Sequence, residues 1–180
     1  MFQTLCANLA LNGVMNVNCR CAALGEAGGS ITIPPVDYNV AENFGGVPLG
    51  VGPAGETTAV VTLDGYNLSA CDFIKIDVEG MEAAVIRGAK KTIEKFHPIL
   101  YVENDRADRS AELIGLLQSL GYNLYWHTPL LFNRNNFYQN PVNEFGDVVS
   151  ANMLGIHSSM PSDIGGLRKV EGPESSWRKG

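Results

Sequence analysis

Charge is scarce in these 180 residues. Only 18% are Asp, Glu, Lys or Arg, and 13 basic residues against 19 acidic ones leave a net charge of −6. A basic excess that could release counterions from nucleic acid or hold anionic lipid is therefore missing, which excludes both as natural partners and leaves a small molecule. Long apolar runs are missing as well: none approaches the roughly 20 residues that cross a bilayer. Met1-Phe2-Gln3-Thr4-Leu5 lacks a basic region ahead of an apolar segment, so the expected location is cytoplasmic, away from any membrane. Cysteine is limited to Cys6, Cys19, Cys21 and Cys71, too few and too unevenly spaced for a disulfide framework. No CxxC pair or His-rich stretch completes a zinc site. Cys19-Arg20-Cys21 has the alternation of a strand with both thiols on one face, reduced and buried.

What is present suffices for a core. Hydrophobic residues make up 45% of the chain, and a chain this long buries roughly 70% of its unfolded surface without staples. Phe2, Leu5, Cys6 and Leu9 fall at helical spacing before Asn12-Gly13, the end of a helix. Val17 to Leu24 reads as a strand, and Ser30 to Ile33 as a second, ended by Pro34-Pro35. Residues 36–56 are rich in Gly and Pro without periodicity, a lid or a binding loop. Thr57 to Leu63 is strand-like, and Asp64 to Ala70 a turn or short helix.

From Asp72 the pattern sharpens. Asp72 to Asp77 is a compact strand, and apolar residues at Met81, Ala84, Val85, Gly88, Ala89, Ile93 and Phe96 predict one amphipathic helix with Arg87, Lys90, Lys91, Glu94 and Lys95 outward. His97-Pro98 stops it, and Ile99 to Glu103 is a buried strand, completing a parallel βαβ unit. A second helix spans about Asp108 to Leu120, with Tyr122 to His127 the next strand. Val148 to Ile156 can form a last, antiparallel strand. From Ser158 the chain alternates Ser, Pro, Gly and charge, which predicts a disordered tail.

Two motifs compete for the chemistry. Gly50-Val51-Gly52-Pro53-Ala54-Gly55 matches a dinucleotide fingerprint in letters alone, because no strand precedes it, a strand rather than a helix follows it, and Pro53 removes a donor. A plain loop is the better reading. The stronger signal is Lys75-Ile76-Asp77-Val78-Glu79-Gly80-Met81-Glu82, where Asp77 closes a strand and Glu79 enters a helix, the place where open α/β sheets bind ligands. Favourable placement of an acid at a helix N-terminus is the alternative. Glu103-Asn104-Asp105 ends the neighbouring strand about 4.8 Å away, and acids gathered there repel unless a cation, a shared proton or a hydroxyl lies between them. Solvated loop acids at separate angles remain the other possibility.

Cys71 to Glu82, followed by Arg87-Gly88-Ala89 and Pro98 to Asn104, resembles the FkbM-like family of S-adenosylmethionine-dependent methyltransferases. Asn8 to Gly13, Ala22 to Gly25, Asn43 to Gly46 and Asn152 to Leu154 fit the same pattern in order. The resemblance implies an α/β fold, the class I (Rossmann-like) methyltransferase sheet of order 3-2-1-4-5-7-6. It implies methyl transfer from S-adenosyl-L-methionine to a hydroxyl of a sugar or natural product. Asp77 would lie beside the reactive methyl group and Ala23 and Leu24 beside the adenine. Asp77, Glu79 and Glu103 would be catalytic, with Asp77 or Glu79 taking the acceptor's proton, and Glu82, Asn104 and His127 would face the acceptor.

The first two strands and the glycine-rich cofactor turn of that family have no counterpart here, so the chain looks truncated at its N-terminus. Residues 1–157 are then a partial methyltransferase domain and 158–180 its tail. The absent strands would lie between Val17–Leu24 and Phe73–Asp77, leaving exposed strand edges open to self-association. Weak or no activity of the chain alone is expected, and a non-catalytic remnant used for assembly or ligand binding is the rival reading. A divalent metal held by Asp77, Glu103 and Asn104 is a third.

Overall fold

The computed structural model describes residues 1–37, 39–40, 46, 54–161 and 164–178. Helix α1 (Phe2–Leu11) ends at Asn12, after which Gly13 adopts the left-handed conformation (φ +65°). None of its residues is buried. The strand expected over Val17–Leu24 is confined to β1 (Ala23–Leu24), which pairs in parallel with β3 (Glu56–Val61) at two positions. Alternation alone does not make a strand where backbone groups find no ladder partner, so Cys19-Arg20-Cys21 is irregular. Its thiols are not buried as expected: Cys21 is exposed, while Cys6, Cys19 and Cys71 are half-buried, and all four are free. Strand β2 (Gly29–Ile33) pairs antiparallel with β3, giving a three-stranded sheet of order β1-β3-β2. The lid or binding loop expected over 36–56 falls largely outside the described residues, as do Gly50 to Pro53 of the glycine-rich motif. Its last glycine, Gly55, closes β2 onto β3, where a Cβ would lie 2.0 Å from the Ile33 carbonyl oxygen.

The larger sheet contains β4 (Phe73–Ile76), β5 (Ile99–Glu103), β6 (Tyr122–His127), β7 (Asn152–His157) and β8 (Arg168–Lys169), in the order β4-β5-β7-β6-β8. Strands β4 and β5 are parallel, as the βαβ pattern requires, and β7 runs antiparallel to both β5 and β6. Period-2 alternation puts Ile76, Leu100, Val102, Leu124, Trp126 and Met153 on one face. There they pack with Val85 and Ile86 of α2 (Glu82–Arg87), Ile93 of α3 (Lys90–Phe96) and Leu113, Ile114 and Leu117 of α4 (Ala107–Ser119). The order β4-β5-β7-β6 is the one the resemblance implies for the fourth to seventh strands, and the mixed α/β architecture is compatible with a methyltransferase-like fold.

The single helix predicted across 81–96 is two, broken at Gly88-Ala89. Tertiary contact imposes the break. A Cβ on Gly88 would stand 2.0 Å from the Gly25 carbonyl oxygen, just past β1, and the Gly88 carbonyl accepts a hydrogen bond from the Asp64 N–H at 3.0 Å. Asp64 opens a 3₁₀ turn (Asp64–Tyr66), and its carboxylate accepts the N–H groups of Lys91 (3.0 Å) and Thr92 (2.8 Å) and the Thr92 hydroxyl (2.7 Å). A residue 28 positions away thus caps α3, which has no capping side chain of its own. These contacts dock the smaller sheet onto the helical layer.

The disordered tail predicted from Ser158 is corrected: β8 pairs with β6, and Val170 is 1% exposed within the core. Trp177 packs against that core as well. Two isolated apolar anchors hold this strap, a device with no periodicity for a sequence pattern to reveal.

Candidate active site

Strand register assembles the site from four strands. Glu103 of β5 stands opposite Asn152 of β7, which stands opposite His127 of β6, and Asp77 follows Ile76, the partner of Val102. One row across the carboxyl ends of β4, β5 and β6 therefore carries Asp77, Glu103, Asn152 and His127, on the sheet face opposite the helices.

Beyond β4 the backbone turns sharply. Glu79 and Gly80 both have left-handed conformations (φ +53° and +93°), unusual for a non-glycine residue and a sign of a constrained turn. Glu82 holds that turn: 6% exposed, its carboxylate accepts the N–H groups of Gly80 (2.9 Å) and Val78 (3.4 Å). From α4, Arg109 donates to the Gly80 carbonyl, and Arg106, the residue just before that helix, pairs with Glu79 at 2.7 Å. The result brings Asp77, Glu79 and Glu103 together, with one carboxylate oxygen of each within 4.8 Å of the others.

Three compensations answer the repulsion expected of such a cluster. Lys75, two residues before Asp77 and on the same face of β4, binds its carboxylate at 2.6 Å. Arg106 neutralises Glu79. Glu103 has no cationic partner among the described residues. Burial, then the charges of Asp77 and Asp105, a hydrogen bond with Asp77 and the charge of Glu79 push its carboxyl up to about 7. The cluster is thus a carboxyl poised near neutrality between two carboxylates already held by cations. Its three oxygens also suit a hard divalent cation, although Lys75 and Arg106 already engage two of the groups.

Other expected site residues lie elsewhere. Asn104 turns to the helical face, 4% exposed, and donates to Ser110 Oγ (2.9 Å) and towards Met153 Sδ (3.3 Å), so it does not join Asp77 and Glu103 in a shared set of metal ligands. Glu82 is committed to the turn, yet with Asn104, Arg87, Arg106 and Arg109 it borders a cleft of about 310 Å³ between the start of α2 and α4. His127 shares the row of Glu103, and its Nδ1 lies 2.8 Å from the Tyr101 hydroxyl. Ala23 and Leu24 form β1 in the smaller sheet, where Leu24 lines a separate cleft of about 490 Å³ with Arg20, Val61, Tyr66 and Leu68.

Sequence reading missed Lys75, Arg106, Tyr101 and Asn152. Lys75 carried a signal, since residues two apart on a strand share a face. Asn152 carried none, because only the register of β7 brings it between Glu103 and His127.

Residues 49–124 match the family model described as the methyltransferase FkbM domain. The matched stretch runs from just before β3 into β6 and contains all three clustered carboxylates. No curated protein and no solved structure matches the chain. Over that stretch, which is less than half of the chain, the sequence is similar to FkbM-domain methyltransferases.

Proposed function

We propose that this chain carries the acceptor half of an S-adenosylmethionine-dependent O-methyltransferase site, acting on a hydroxyl of a sugar or natural product. The observation that carries the reading is the convergence of Asp77, Glu79 and Glu103 at the carboxyl ends of two parallel strands. Methyl transfer to oxygen needs the acceptor hydroxyl aligned with the methyl carbon and a base for its proton. Glu103, pushed up to about 7, is better matched to that task than carboxylates engaged by Lys75 and Arg106. Asp77 and Glu79 then orient the acceptor, and His127, fixed by Tyr101, bounds the far side of the row.

S-adenosyl-L-methionine would supply the methyl group as an electrophile. The apolar walls of the cleft at Leu24, Val61, Tyr66 and Leu68 suit a purine ring. Weak cofactor binding and weak transfer by this chain alone are part of the reading. The free state of all four cysteines fits a cytoplasmic protein, and among the described residues no helix is long and apolar enough to cross a membrane.

The test is incubation with methyl-labelled S-adenosylmethionine and a panel of simple sugars and polyols. Slow labelling of a hydroxyl, lost by about a hundredfold or more in Glu103→Gln, supports the proposal. Labelling that survives this substitution overturns the role of Glu103, and no hydroxyl-linked label overturns transfer by this chain. The second reading, a non-catalytic module for assembly or ligand binding, is favoured by the absence of any buried residue in α1.

A further inference from the structure

The cleft of about 310 Å³ between the start of α2 and α4 has walls drawn from the β4–α2 turn, α2, the β5–α4 turn and α4, all inside the βαβ unit and the helix that follows it. Gly80, next to Glu79, and Asp105, two residues past Glu103, both border it. Ale-sized apolar surface is supplied by Ala84 and Leu113. Its volume is at the small end of ligand sites and matches a single sugar-sized ring.

Three guanidinium groups line this space, and their partners are unequal. Arg87 is paired with Glu112, and Arg106 with Glu79 at 2.7 Å. Glu82, the buried acid of the cleft, is spent on the N–H groups of Gly80 and Val78. Arg109 donates to the Gly80 carbonyl, and its nearest carboxylate among the described residues, that of Asp108, stands 3.9 Å away and is 79% exposed. A pair so open contributes little. Among the described residues Arg109 is therefore the one cation of the cleft without a committed counter-charge.

Gly80 brings the arginines together. A Cβ there would lie 2.7 Å from Arg109 Nη1 and 3.8 Å from Arg106 Nε, so both guanidinium groups converge on one point of backbone that only glycine leaves open. Each guanidinium carries five donors, and one of each is used in a hydrogen bond among the described residues. Planar forks with donors to spare match a carboxylate, which accepts two parallel N–H bonds. A phosphate dianion fits less well, because Asp105 and Glu112 also line the cleft and Glu79 stands against Arg106.

We propose that this cleft binds the carboxylate of a single-ring sugar acid, with Arg109 as its first partner, Arg106 as its second, and the ring against Ala84 and Leu113. The methyl acceptor is then an acidic sugar, anchored across the β4–α2 turn from Glu103. That last identification rests on the methyl-transfer reading, whereas occupancy of the cleft does not, and its test reads binding alone.

Amide NMR titration of the full chain with D-glucuronate at pH 7 and low salt is expected to move the Gly80 and Arg109 signals with a millimolar Kd. D-glucose, equal in ring size and uncharged, should bind about tenfold more weakly or worse. Arg109→Gln should weaken glucuronate by about tenfold, and Arg109→Lys should recover only part, since an ammonium keeps the charge and loses the fork. Glu112→Gln works in the other direction: it releases Arg87 to the cleft and should tighten glucuronate about threefold. Glucuronate that leaves the spectrum unchanged at tens of millimolar overturns the proposal, as does glucose binding equally well. Undiminished binding by a folded Arg109→Gln overturns it too, and if that variant does not fold, binding no tighter in Glu112→Gln than in wild type does so. Glucose 6-phosphate binding more tightly than glucuronate overturns the choice of a singly charged group. Glucuronate that binds at Gly80 and Arg109 yet takes no methyl label upholds the cleft and counts against the methyl-transfer reading.

Discussion

At Glu103 a half-buried carboxyl lies among Asp77, Glu79 and Asp105, and burial with those charges pushes it up to about 7 from an ordinary 4.5. An acid raised in this way binds more protons folded than unfolded between those values, so its contribution to stability falls as pH climbs through that window. His157 runs the opposite way. Burial and its stacked neighbour His97, with ring centroids 3.6 Å apart, hold it below its ordinary value, and stability is lost as pH falls through about 6.5. Comparing wild type with Glu103→Gln cancels that background. Urea unfolding is expected to show the two alike at pH 5 and the Gln variant more stable at pH 8 by about 1 kcal/mol, after discounting for solvent screening. An unchanged difference between the two pH values would remove Glu103 as the titrating group. Convergence of these acids was legible because Asp77 and Glu103 end strands that the βαβ pattern makes neighbours. The diversion of Asn104 was not, since it depends on Ser110 and Met153 waiting on the opposite face.

At the scale of elements, the helical segment after the site shows local pattern yielding to packing. Apolar spacing from Met81 to Phe96 is continuous in the sequence, yet Gly88 is pressed against the Gly25 carbonyl and the helix breaks there. The restart of α3 depends on Asp64. Against burial that alone would raise it, the Thr92 hydroxyl and N–H and the Lys91 N–H hold its carboxyl below the ordinary value. Asp64→Ala leaves those donors unpaired and should cost about 2 kcal/mol in urea unfolding, with Asp64→Asn recovering part because its amide oxygen can still accept. A loss below about 0.5 kcal/mol would mean that water caps α3 equally well. Strands β5 and β6 lie where the sequence predicts them, Ile99–Glu103 and Tyr122–His127, because each is rich in apolar and aromatic residues and starts just after a breaker, Pro98 or Gly121. Strand β1 is shorter than predicted because only Ala23 and Leu24 meet a partner.

For the molecule as a whole, the C-terminal strap is a working part of the core. Val170 is buried, its N–H donates to the Leu124 carbonyl at 2.8 Å, and β8 extends the sheet beyond β6. Ending the chain at Met160 should lower stability by about 3 kcal/mol and raise binding of a hydrophobic dye, whereas an unchanged unfolding midpoint would show the strap to be dispensable. Among the described residues the two sheets share no ladder, β1 lying in one and β4 in the other, and they are joined through Gly25–Gly88 and Asp64–α3 contacts.

By itself the sequence determined the alternation of strand and helix from Phe73 to His127, the face each element buries, and the acids that close two adjacent strands. These follow from period, breakers and strand polarity, which act over a few residues. Tertiary structure alone decided where the long helix breaks, that Asp64 caps α3, that Asn152 separates Glu103 from His127, and that Val170 and Trp177 anchor the strap. Each of those joins residues far apart in the chain, and local pattern holds no information about which distant partner satisfies a carbonyl, a carboxylate or a gap in the core.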